Sequence, residues 1–237
     1  MSEWKQRRFW DSANPVAASA GFGIALDGRP VRTPAKQPLV VPSRPLARAI
    51  ADEWDAQAEV IDPNTMPLTR IANSAIDTAG PQHTEIAGII AAYGESDLLC
   101  YRAEGPPELV SRQAAAWDPL LDWARDALDA PLAVGTGVIF VPQPEKSLRT
   151  LSAKVHGLDA FDLAPCHDLV ALSGSLVIGL AVLAGLHPVE TLWALSRVDE
   201  TWQAEQWGHD EDAAEIAALR AAAFADAARF HALRHTA

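Results

Sequence analysis

Glu205, His209 and Asp212 stand at i, i+4 and i+7 in the stretch "DETWQAEQWGHDED", residues 199–212, so a continuous helix would put all three on one face. Two carboxylates and an imidazole are hard and borderline ligands, and such a face could hold a divalent metal for hydrolysis or simple binding. A di-metal carboxylate bundle, however, needs Glu-x-x-His pairs on two helices, and no Glu-x-x-His occurs in this chain. The same stretch carries six carboxylates with no Lys or Arg among them.

Other chemistry-bearing groups are weaker still. Cys166, His167 and Asp168 are consecutive, and neighbouring side chains diverge on a helix or alternate on a strand, so they do not form a nucleophile pair. At a helix start, His167 or Asp168 serves more simply as a cap. His231 and His235 are spaced i, i+4 and could share a metal or stand as a solvated pair. "LSGSL" around Ser173 lacks the GxSxG spacing and lies in an apolar run, where serines bond back to the preceding turn. "GFGIALDG" has no GK[ST] and precedes a hairpin signal, not a helix, so it is no phosphate loop.

The tryptophans of the acidic stretch are more informative. At about 100° per residue, Trp202 and Trp207 point roughly 140° apart. Leu195, Val198 and Trp202 make one apolar stripe, which assigns Trp202 to the core and Trp207 to another surface. Glu205 continues the Trp202 stripe and is expected to be partly buried. If Gly208 stops the helix, Glu205 lies in its last turn, where the dipole disfavours an anion. Asp210, Glu211 and Asp212 would instead open the next helix, where anions are favoured. Glu205 is therefore either a functional group or the partner of a distant Arg.

These residues need a scaffold, and the sequence describes an α+β one: a small antiparallel β-rich N-terminal domain, residues 1–95, then a larger α-helical domain, 96–237. "GFGIAL" and "RPVRT" flank Asp27-Gly28, a type I′ hairpin signal, and "QPLVVP" makes a third strand kept to an edge by its prolines. Ser43 caps a helix over 44–58, with Leu46, Ile50 and Trp54 on one stripe. Helices are predicted at 66–79 and 82–93, with an extended piece near 97–102. A helical body follows from "GPPELVSRQAAAWDPLLDWARDAL", residue 105 onward, with an extended or hairpin excursion at 132–144 and helices near 145–156, 162–184, 188–207 and 211–235.

Charge and composition narrow the function. Residues 1–70 hold 9 Lys/Arg against 8 Asp/Glu, and the remainder 10 against 23. Such an acidic body repels phosphate backbones, which excludes nucleic acid and suits a neutral or basic protein partner. The two cysteines, Cys100 and Cys166, have no CxxC partner and read as reduced structural thiols. Residues 169–186 carry no charge, about the minimum length for a membrane span. Its glycines and serines, and acidic flanks at Asp168 and Glu190, favour a central bundle helix whose small residues let neighbours approach closely.

Two segments carry a resemblance to a known family. They are "LDGRPVRTPAKQPLVVPSRPLARAIADEWDAQAEVIDPNTMPLTRIANSAID", residues 26–77, and "SGSLVIGLAVLAGLHPVETLWALSRVDETWQAEQWGHDEDA", residues 173–213. The chain resembles the F-type ATP synthase assembly chaperones that attend the alpha subunit of the catalytic head, called assembly factor 2 in mitochondria. The resemblance implies a chaperone without catalysis or cofactor, monomeric when free and not inserted in a membrane, that binds the unassembled alpha subunit until the beta subunit displaces it. Its motif positions fall here on Trp54, Asp55, Met66, Pro67 and Leu68, and on Glu205, Trp207, Gly208, Asp210 and Glu211. Trp54, on its stripe, is expected to join the N-terminal part to the helical body; Glu205, Trp207 and Glu211 are the expected partner contacts. The start "MSEWKQRRFW" has neither the apolar run of a secretory signal nor the length of an organellar presequence, which points to a bacterial cytoplasm over a mitochondrial matrix.

Overall fold

The computed structural model describes residues 7–208 and 210–236. They divide into two compact units: one takes the chain up to His83 with Asp159–Pro165 and the end from Arg229, the other Thr84–Leu158 and Cys166–Ala228.

In the first unit β2 (Gly21–Leu26) pairs antiparallel with β1 (Ala13–Ala18), β3 (Arg29–Pro30) and β4 (Val40–Val41). Leu26 faces Arg29 across Asp27 and Gly28, whose φ angles of 46° and 81° are the positive pair that a type I′ turn requires. The Pro-flanked β4 contributes only two residues, as an edge segment with prolines on both sides must. Ser43 caps α1 (Arg44–Asp55) by accepting the Leu46 amide at 3.2 Å, and its hydroxyl donates to the Leu233 carbonyl at 2.7 Å. Leu46 and Ile50 are fully buried with Ile24 and Leu39 of the sheet region. The helix α2 (Pro67–Ser74) begins with its first amides bound to a carboxylate from α1: Glu53 accepts from Leu68 N at 2.7 Å and Thr69 N at 2.8 Å. A π-turn, Ala75–Ala79, extends it.

The second unit is helical: α3 (His83–Ala92), α4 (Pro107–Leu128), α5 (Glu145–His156), α6 (Ala160–Ser173), α7 (Leu176–Leu183), α8 (Val189–Leu195), α9 (Val198–Trp207) and α10 (Glu211–His235), several of which carry residues of the first unit at their ends. Between them β5 (Tyr101–Arg102) and β6 (Gly135–Thr136) pair in parallel. The 132–144 excursion thus contains the extended segment expected of it, and α4 is the crossover that a parallel pair needs.

The structure corrects several expectations. The apolar run is two helices. Ser173 bonds back to Leu169 O at 2.7 Å, but Gly174 takes φ 72° and Ser175 caps α7 by accepting from Ile178 N at 3.0 Å. No described helix is long and apolar enough to cross a membrane. The single helix expected over 188–207 breaks at Ser196–Arg197 into α8 and α9. His167 and Asp168 lie inside α6, whose first amides go instead to Asp159 Oδ1, so they cap nothing. Both cysteines are buried thiols, and burial pushes the Cys100 thiol up to about 12, with the Asp97 carboxylate adding to the shift. Asp97 itself is fully buried and binds Leu99 N at 3.1 Å and Val177 N at 3.0 Å.

Candidate functional site

The acidic stretch forms a junction between α9 and α10, held in place by one face of α4. Trp117, fully buried, donates its indole N–H to the Leu195 carbonyl at 2.7 Å. Gln113, also buried, donates to Asp199 Oδ1 at 2.6 Å while its own oxygen accepts from Ala103 N at 2.8 Å. Arg112 lies over the Trp202 ring, 5.0 Å from its centroid, and grips Glu205 through two parallel contacts of 2.9 and 2.8 Å. The hydrogen bond from Arg112 holds the Glu205 carboxyl below the usual carboxylate range despite its desolvation. The partly buried position predicted for Glu205 is not what forms: the side chain is exposed, and Arg112 is the distant partner that offsets the unfavourable helix dipole.

Gly208 ends α9 with φ 94°, a conformation other residues adopt only under strain, and its amide returns to Ala204 O at 3.0 Å. Asp210 then caps α10, accepting from Asp212 N at 2.9 Å and Ala213 N at 3.1 Å. Trp202 is half-buried, whereas Trp207 is 79% exposed, the division that helical angles predict. All residues from Asp210 to Arg220 are exposed, among them Ile216 and Leu219 three apart on α10. An exposed indole, two exposed aliphatic side chains and several exposed carboxylates make a surface suited to recognition.

Glu205, Trp207, Gly208, Asp210 and Glu211 are therefore brought together. Trp54, Asp55, Met66, Pro67 and Leu68 belong to the first unit, where they have structural work. The Trp54 ring meets Trp10 edge-on at 5.3 Å, and Asp55 Oδ1 accepts from Ala13 N at 2.7 Å. Met66 and Leu68 are buried, and Pro67 opens α2. Sequence reading missed Glu53, Arg112 and Gln113. Glu53 sits beside Trp54 in the same motif, but neither its chemistry nor its spacing signals that it caps another helix.

Of the alternative metal cluster Glu205, His209 and Asp212, His209 lies outside the described residues, and Glu205 is engaged by Arg112. A different trio converges in the first unit. His231 Nδ1 and His235 Nε2 lie 2.9 and 3.1 Å from Asp162 Oδ1. Arg234 pairs with both Asp162 and Asp159, supplying the countercharge that a cation would otherwise provide. Burial alone would raise the Asp162 carboxyl, but hydrogen bonds from His231 and Arg234 take it well below the usual carboxylate range. The arrangement is an ionic latch tying the chain end to the start of α6.

The sequence matches the family model for the ATP12 chaperone protein over residues 7–125. Atp12 of Paracoccus denitrificans, a solved structure, is similar at 53% identity and a TM-score of 0.94, over 98% of this chain and 100% of that one. A solved structure from Agrobacterium tumefaciens is similar at 41% identity and a TM-score of 0.91, over 95% of this chain and 85% of that one. The mitochondrial protein atp12 of Schizosaccharomyces pombe is 26% identical over an alignment of 222 residues that covers 89% of this chain and 76% of the yeast protein.

Proposed function

This chain belongs to the ATP12 chaperone protein family, and from that membership we propose that it is a non-enzymatic assembly chaperone, which binds the unassembled alpha subunit of the F-type ATP synthase catalytic head until the beta subunit replaces it. A subunit without its partner exposes an interface of core-like apolarity and is prone to aggregate. A holder must cover that surface with few anchors and moderate affinity, so that the permanent partner can displace it.

The exposed Trp207 is the observation that supports this reading. Its indole projects from the end of a clamped helix, flanked by Glu205 and Glu211 as rim charges. The identity to a Paracoccus protein supports a bacterial cytoplasmic setting, with the mitochondrial relative acting in the corresponding organelle. Co-expression tests the function: the wild-type chain raises the soluble yield of the alpha subunit, and Trp207→Ala lowers that yield. If the wild-type chain neither captures the alpha subunit nor raises its yield, the reading is wrong.

A further inference from the structure

The second unit carries a trough that the Trp207 junction only partly occupies. One open hollow of about 390 Å³ is lined by Pro106, Leu109, Trp202, Gln206 and Trp207. A second, of about 450 Å³, is lined by Tyr101, Arg102, Glu104, Gly137 and Val138. Asp199 lines both, so the two hollows lie side by side and together make the trough. Trp207 forms the lip of one hollow. Val138, which lines the other, begins a run of three consecutive exposed apolar side chains, Val138 at 98%, Ile139 at 78% and Phe140 at 59% exposure. The base of that loop is pinned, since β6 pairs with β5 and Gly137 N donates to Arg102 O at 2.8 Å. A loop anchored at its base that leaves its apolar tip in water is a recognition feature.

Charge selects what fits. The cations at the trough are already matched, Arg102 by Asp118 at 2.8 Å and Arg112 by Glu205 at 2.8 Å. Glu104 and Asp199 remain as anions along its length, with Asp210 and Glu211 beyond the Trp207 lip. The eight-residue helical path from Asp199 to Trp207 is roughly 12 Å, room for about four extended residues, and the second hollow adds a similar length. We propose that this trough is the client groove of the chaperone, receiving an extended apolar segment with flanking Lys or Arg, anchored by Trp207 at one end and the Val138–Phe140 tip at the other. The inference rests on the chaperone reading for the source of that segment, the unassembled alpha subunit, but the groove chemistry is testable apart from it.

The probe is a pair of fluorescent octapeptides with the same Leu/Val/Ile/Phe centre, one flanked by Lys and one by Glu, followed by anisotropy. The wild-type chain binds the Lys-flanked peptide about tenfold or more tightly than the Glu-flanked one, and the triple variant Val138→Ser, Ile139→Ser, Phe140→Ser loses about tenfold in affinity. Because these three side chains are exposed, the variant keeps the wild-type thermal midpoint. Failure of the wild type to bind the Lys-flanked peptide, or equal binding by the triple variant, overturns the groove. So does a variant whose only change is a shift from dimer to monomer, which would assign the tip to self-association. A photo-crosslinker at position 140 supplies the second arm with co-expressed alpha subunit, and the captured segment must be apolar with basic flanks. If the triple variant holds the alpha subunit as well as the wild type does, the groove falls and the chaperone reading stands. Peptide binding without any capture of the alpha subunit keeps the groove and overturns the chaperone reading.

Discussion

Arg112 and Glu205, 93 residues apart, are joined by a hydrogen bond of 2.9 Å and an ion-pair contact of 2.8 Å while the same guanidinium covers the Trp202 ring at 5.0 Å. One cation thus satisfies a carboxylate in the last turn of α9 and fixes the aromatic residue one turn before it. Exposed pairs add little to global stability, so the value of this one is local order.

Single variants Arg112→Glu and Glu205→Arg therefore change the thermal midpoint little but speed hydrogen exchange in the last turns of α9. The double swap restores the ion pair and hence the protection. Rescue of the alpha subunit separates positioning from contact. We expect it to stay low in the double swap, because the proposed binding rim includes a carboxylate at position 205. Full recovery of rescue would show that Glu205 only positions the helix.

Glu53 joins α1 to the start of α2. Its carboxylate accepts from Leu68 N, Thr69 N and the Thr69 hydroxyl, the last at 2.6 Å. Glu53→Gln replaces one acceptor oxygen with an amide donor that faces backbone N–H groups. Urea unfolding should show a loss of about 1–2 kcal/mol, as for removal of a strong helix cap. An unchanged midpoint would mean that water replaces the cap without cost.

Acid should open the Asp162 latch. Its folded-state pKa is depressed, so the stabilisation is present above the unfolded carboxylate value of about 4 and is lost as pH falls toward the folded value. Thermal midpoints measured from pH 5 to pH 2 should fall more steeply for the wild type than for Asp162→Asn, the two curves converging at the acid end. Parallel curves would show that Asp162 does not contribute to the acid transition.

What was legible in the sequence was chemistry that acts within a few residues. Asp27-Gly28 dictates its turn, Ser43 its cap and Gly208 its helix end, because each involves only neighbouring backbone. Helical angles also separated Trp202 from Trp207. The breaks at Gly174–Ser175 and Ser196–Arg197 were not legible, since an all-apolar run has no amphipathic phase for a break to disturb and serine fits both a helix interior and a cap. Nor were the Arg112–Glu205 clamp and the β5–β6 pairing, whose partners are chosen by tertiary packing across long stretches of chain.

Close approach within the apolar run is the expectation that packing does support. Gly179 of α7 is buried, and a methyl group built on it would overlap Val170 Cγ2 of α6. Two effects oppose each other in Gly179→Ala. Helix propensity favours alanine by roughly 0.5–1 kcal/mol, whereas overpacking a dense core costs about 1–3 kcal/mol. Overpacking outweighs propensity, so urea unfolding should show net destabilisation. Adding Val170→Ala removes the overlapping methyl, and the double variant should lie above the sum of the two single effects, since the residues share one contact. Strict additivity, or a stabilised Gly179→Ala, would show that the two helices are not in contact through this glycine.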